Sequence, residues 1–94
     1  MTEKIPDVVN LLTLAKNTSA QTKIANTDFS IEQITSKREE HIAKNCWLLC
    51  LEGELILDLP YGDFRILRKG DSLFLPQSSD IVLNPVDPSV ILLS

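Results

Sequence analysis

Short apolar runs, each closed within a few residues by Pro, Gly, Asn or Asp, follow one another along most of this chain, the pattern of many short strands rather than of helices. From Gln21 onwards, Phe29, Ile31 and Gln33 alternate with Ser30, Glu32 and Ile34 in a stretch free of turn residues. Cys46 to Leu51 is a continuous apolar run and reads as a strand buried on both faces. Glu52-Gly53 allows a sharp bend, after which Leu55, Ile56, Leu57 and Leu59 continue in a second strand. Pro60-Tyr61-Gly62-Asp63 then carries turn chemistry, with Pro presetting φ, Gly accepting a positive one and Asp able to bond its neighbouring backbone. Phe64, Ile66 and Leu67 form the return strand of a hairpin, Arg68 to Asp71 the next turn, and Leu73-Phe74-Leu75 a strand stopped by Pro76. Ile81-Val82-Leu83 and Val90 to Leu93 complete the set. One segment is ambiguous: Val8, Leu11, Leu12 and Ala15 fit a helical stripe behind Pro6-Asp7, while Val-Val and Leu-Leu equally suit an extended edge.

None of the late connections can hold a crossover helix, so the strands must pair antiparallel. The reading is an all-β chain, a small antiparallel barrel or double-sheet jelly roll, with residues 21–94 as the barrel and residues 1–20 as an N-terminal arm. At 94 residues it has room for one domain, and a domain this small gains from burying further surface against a second copy, so a homodimer is expected.

Composition narrows the partners. A net charge of −4 opposes a phosphate-backbone ligand, and the basic pair Lys37-Arg38 is offset at once by Glu39-Glu40, so no nucleic-acid role is expected. The N-terminus lacks the basic start and apolar stretch of a signal peptide, and no run approaches the ~20 residues of a membrane span, so a cytoplasmic location without membrane contact is expected. Cys46 and Cys50 lie four positions apart on one strand, roughly 13 Å along it, whereas a disulfide needs Cα atoms within about 7 Å. Both are expected as free, buried thiols. Only Gly53, Gly62 and Gly70 occur, too few and too scattered for a phosphate-cradling loop, and Trp47 and Phe74 are expected in the core.

Two motifs carry a family resemblance: Trp47-Leu-Leu-Cys-Leu-Glu-Gly-Glu-Leu55, and about twenty residues later Leu67-Arg-Lys-Gly-Asp-Ser-Leu-Phe-Leu-Pro76, with Asn84-Pro85 beyond. In type, order and separation they resemble the two motifs of short single-domain cupins, over Glu39 to Leu93. The resemblance implies a cupin barrel. It also implies a place for a metal, since many cupins hold one with a His-x-His pair, a Glu and a further His. Counted back from Gly53 and on from Pro76, those positions fall on Glu39, His41, Cys46 and either Ile81 or Asp80. Glu39, His41, Cys46 and Asp80 are therefore the candidate ligands for a divalent transition metal, Zn, Fe, Mn or Ni, in a degenerate site whose only imidazole is His41. The opposing reading makes Cys46 a core residue, Glu39 part of a charged tract and Asp80 a turn residue. His41, Cys46, Leu48, Cys50 and Ile81 are the candidates for lining a mainly apolar lumen. A non-catalytic module that binds a small molecule or regulates, with no cofactor, is favoured over a metal-dependent oxygenase, isomerase or lyase built on the substituted ligands.

Overall fold

A computed structural model describes residues 8–18 and 20–94 of the chain. The ambiguous arm resolves as a helix, α1 (Leu11–Lys16), whose first turn is capped by the Asn10 side chain accepting from the Thr13 N–H at 3.0 Å. Among the described residues nine strands follow: β1 (Thr22–Lys23), β2 (Ser30–Ile34), β3 (Arg38–Ile42), β4 (Cys46–Glu52), β5 (Glu54–Asp58), β6 (Phe64–Arg68), β7 (Ser72–Leu75), β8 (Ser79–Pro85) and β9 (Ser89–Leu93). They form two antiparallel sheets, a five-stranded one in the order β1-β2-β9-β4-β7 and a four-stranded one in the order β3-β8-β5-β6. The jelly roll is thus two facing sheets rather than one closed ring of hydrogen bonds.

The turns sit where the turn residues do. Tyr61 and Gly62 both take positive φ in the single helical turn Pro60–Gly62 between β5 and β6. Asp71 accepts from the Arg68 N–H at 2.9 Å in the turn before β7. Gly53, between β4 and β5, has φ +87° and lies so close to the β8–β9 connection that an added Cβ would stand 2.5 Å from the Pro88 carbonyl oxygen and 2.6 Å from Ser89 Oγ.

Side chains alternate across each strand. Cys46, Leu48 and Cys50 of β4, Leu75 of β7 and Ile91 of β9 face Leu55 and Leu57 of β5, Leu67 of β6 and Ile81 and Leu83 of β8, giving one aliphatic core between the sheets. On the far side of the five-stranded sheet, α1 lays Ala15 over Ile31 and Val90, with Leu11, Leu12, Leu14 and Leu51 around them.

Three expectations are corrected. Trp47 and Phe74 are not core residues: they pair across β4 and β7 on the outer face, 54% and 48% exposed, with rings 5.7 Å apart in an edge-on arrangement. It follows that Cys46 to Leu51 is not buried on both faces, because α1 is too short to cover the whole sheet. Asp80 is not in a turn but in β8, opposite His41 of β3.

Candidate functional site

The expected ligands and lumen residues fall on different sides of the fold. On β3, Arg38, Glu40 and Ile42 turn toward the opposite sheet, whereas Glu39 and His41 turn outward. His41 Nδ1 lies 2.7 Å from Asp80 Oδ1 on that outer surface, the two side chains 61% and 84% exposed. Cys46 faces the other way and is buried with Leu48, Cys50 and Ile81 in the core. The sequence-derived set is therefore split, with Glu39, His41 and Asp80 outside and Cys46 inside. Among the described residues no three His, Cys, Asp or Glu side chains stand close enough to hold a metal ion. The physical reason is strand parity. One residue more or fewer in the connection 43–45 exchanges the two faces of β3, and a count along the chain does not register it. These residues do not fit the metal that the resemblance implies, and no chemistry is routed through one.

The inward side chains of β2 and β3 supply a feature that sequence reasoning missed. Glu32, only 4% exposed, accepts two hydrogen bonds from Arg38, Nη1–Oε2 at 2.8 Å and Nη2–Oε1 at 2.6 Å, and Arg38 Nη2 also reaches Glu40 Oε1 at 3.0 Å. The Glu32 bonds raise the guanidinium above its already high ordinary value, against the opposing effect of burial. This arginine joins the two sheets, because β2 belongs to one and β3 to the other. Alternation in β2 could have shown Glu32 on the same face as Ile34. The pairing with Arg38 could not be read, since it depends on how the sheets face each other.

Above the aliphatic core the space between the sheets opens into a cleft of about 520 Å³. Lys23 and Ser30 of the β1–β2 hairpin form one wall, Glu40, Lys44 and Cys46 from the β3–β4 end the other, and Leu93 the floor. Of the candidates named from sequence, Cys46 and His41 border this cleft, whereas Leu48, Cys50 and Ile81 lie below it in the packed core. A lining that mixes ammonium, carboxylate, hydroxyl and amide groups with Ile42, Cys46 and Leu93 suits a small polar molecule with an apolar body.

Both thiols are free and buried. Burial pushes each above the ordinary thiol value, with the Lys44 charge opposing at Cys46. They are expected to stay protonated and to react slowly with a disulfide reagent in the native protein near neutral pH, then fully once the chain is unfolded. Above about pH 8.5 the unfolded chain releases thiol protons that the folded chain retains, so stability is lost as pH rises. Rapid native labelling of Cys46 would count against this account.

Comparison with solved structures places the architecture. The chain superimposes on the hydroquinone 1,2-dioxygenase of Sphingomonas sp. TTNP3, solved with 4-hydroxybenzoate bound, with a TM-score of 0.81 at 14% identity, covering 99% of this chain and 79% of that one. A cupin-2 domain protein of Shewanella frigidimarina gives 0.76 at 15% identity over 92% and 91%, and a protein of Neisseria meningitidis gives 0.75 at 19% over 94% and 98%. The fold is the cupin fold, in a form with one double-sheet barrel and a short helix packed outside it. No protein-family model and no curated protein matches the sequence.

Proposed function

We propose that the protein is a non-catalytic cupin that holds a small polar molecule at the mouth of its barrel and works as a homodimer. One observation carries this reading: an open cleft between the β1–β2 hairpin and the β3–β4 end is lined by Ile42, Cys46 and Leu93 together with the charged Lys23, Asp28, Glu40 and Lys44. Its volume of about 520 Å³ lies within the range of small-molecule sites. Lys23 and Lys44 suit a carboxylate, Asp28 and Glu40 suit a hydroxyl or amine donor on the same molecule, and Ile42, Cys46 and Leu93 suit a ring or short aliphatic body. The dioxygenase of the same fold holds 4-hydroxybenzoate, which has that chemistry, and this makes it a reasonable first probe.

The test is a titration of isotope-labelled protein with 4-hydroxybenzoate and a panel of other small carboxylates, followed by amide resonances. Saturable shifts are expected at 21–30 and 42–46, and Lys44→Glu is expected to weaken binding about tenfold, the loss of one charge-assisted contact. Absence of saturable shifts for every carboxylate at millimolar concentration, or shifts centred elsewhere, would remove the reading. Elemental analysis of the same samples addresses catalysis. Well under one equivalent of transition metal is expected, whereas a tightly held equivalent of Zn, Fe, Mn or Ni that disappears in His41→Ala would turn the reading to a metal-dependent enzyme.

A further inference from the structure

The outer faces of the two sheets differ in kind. Paired residues of an antiparallel ladder share a face, so the outer face of the five-stranded sheet can be followed strand by strand. It runs through Thr22, Ile31, Gln33, Val90, Leu92, Leu49, Trp47, Ser72 and Phe74, with Leu51 at the bulge, and the charge along it is Glu52, opposite Val90 at the α1 end. Glu52, at the margin, is paired with Lys16 of α1 at 2.7 Å. The outer face of the four-stranded sheet, by contrast, intersperses Ile56, Phe64, Ile66 and Val82 with Glu39, His41, Asp80, Glu54, Asp58 and Arg68. Helix α1 accounts for only part of the five-stranded sheet's outer face. Six residues of helix span about 9 Å, and they cover Ile31, Val90 and Leu51 at one end. Trp47 and Phe74 at the other end remain about half exposed.

We infer that this uncovered end, centred on Trp47 and Phe74, is the face through which two copies of the chain associate. The inference rests on the homodimer reading above and says which surface serves it. Charge selects a second copy as the occupant. Each chain carries −4, so two copies meet with least repulsion through this end of the sheet, where Trp47, Phe74, Leu49 and Leu92 bring no charge, and a two-fold contact sets each patch against its own kind. A large aromatic pair is also the commonest anchor of such contacts. β7 is an edge strand, so the contact can extend along the sheet margin as well as over its face. The uncovered strip is only part of one face of a five-stranded sheet, so a weak, reversible dimer is expected, with the micromolar range the place to look for it.

Trp47 is the only tryptophan of the chain, and its emission therefore reports this face directly. Sedimentation and fluorescence are measured on the full chain across the micromolar range. The expected result is a rise in mass from about one chain to two, with Trp47 emission moving to shorter wavelength along the same curve. Phe74→Glu is expected to hold the protein monomeric with red-shifted emission, while Ile66→Glu, on the outer face of the other sheet, leaves the dimer unchanged. A single-chain mass at every concentration overturns both the homodimer and the face. A dimer whose Trp47 stays solvent-exposed, or that survives Phe74→Glu and fails with Ile66→Glu, overturns the face alone. Carboxylate binding at the mouth is read separately and is unaffected by any of these outcomes.

Discussion

Gly53→Ala is expected to lower stability by about 3–5 kcal/mol, from a left-handed backbone conformation that costs an L-residue about 1–2 kcal/mol and an overpacked contact of up to about 3 kcal/mol. At φ +87° the new methyl meets the Pro88 carbonyl oxygen and both Ser89 Oγ and Cα, the last at 2.8 Å, and two of these three atoms are backbone that cannot rotate away. Yielding would displace Ser89, which is fully buried and whose hydroxyl donates to the Glu54 and Asp87 carbonyls at 3.1 and 2.8 Å. Gly70→Ala is the control. Its φ is +91°, but nothing lies within 4 Å of an added Cβ, so only the conformational cost of about 1–2 kcal/mol applies. For a domain of this size the two substitutions should differ in melting temperature by on the order of 15 °C. Equal losses from Gly53→Ala and Gly70→Ala would show that the approach of the β8–β9 connection to Gly53 does not matter.

Arg38→Leu is expected to cost about 3 kcal/mol, because it leaves the buried Glu32 carboxylate without either of its charge-assisted bonds. The arginine itself is not ideally housed. Its side chain is more than a third exposed, and its Nε is buried without a hydrogen-bond partner among the described residues. Replacing both members, as Glu32→Leu with Arg38→Leu, should therefore recover most of the loss, since an apolar pair needs no compensating bonds. Denaturant midpoints for the two single variants and the double variant close the cycle. Additive losses would mean that the two side chains do not act as a pair, and the ionic bridge between the sheets would lose its support.

These two predictions also mark where the sequence was legible and where it was not. Gly53, Gly70 with Asp71, and Pro76 announce themselves because a sharp turn, a positive φ or the end of a ladder is a demand on one or two residues, and few residue types meet it. The double-sheet fold follows from many such local demands in sequence, together with runs too short for helices. The clash at Gly53 was not legible, because Pro88 and Ser89 are brought to it only by the pairing of the sheets.

The candidate site was read less well, for reasons that trace to single residues. Cys46 lies on the inner face of its strand with Leu48 and Cys50, but an apolar run without alternation, Cys46 to Leu51, does not say in sequence which face that is. The count back from Gly53 that puts Glu39 and His41 at the ligand positions implied by the resemblance passes through Ala43-Lys44-Asn45, and a strand's inward face reverses with every residue of such a count. Glu40, Lys23, Lys44 and Ser30 carry no motif. They become wall of one cleft because β1–β2 and the β3–β4 end meet at the barrel mouth.

Local turn chemistry and apolar spacing, acting over a few residues at a time, dictated that this chain is an antiparallel double sheet with its glycines at the bends. Which side of each strand faces in, which charges meet, and what stays uncovered were decided by the packing of one sheet on the other and of α1 on one end of the first. Trp47 shows the difference most plainly. Its apolar neighbours in sequence made it look buried, but burial depends on whether a second layer covers that face, and a six-residue helix does not reach it.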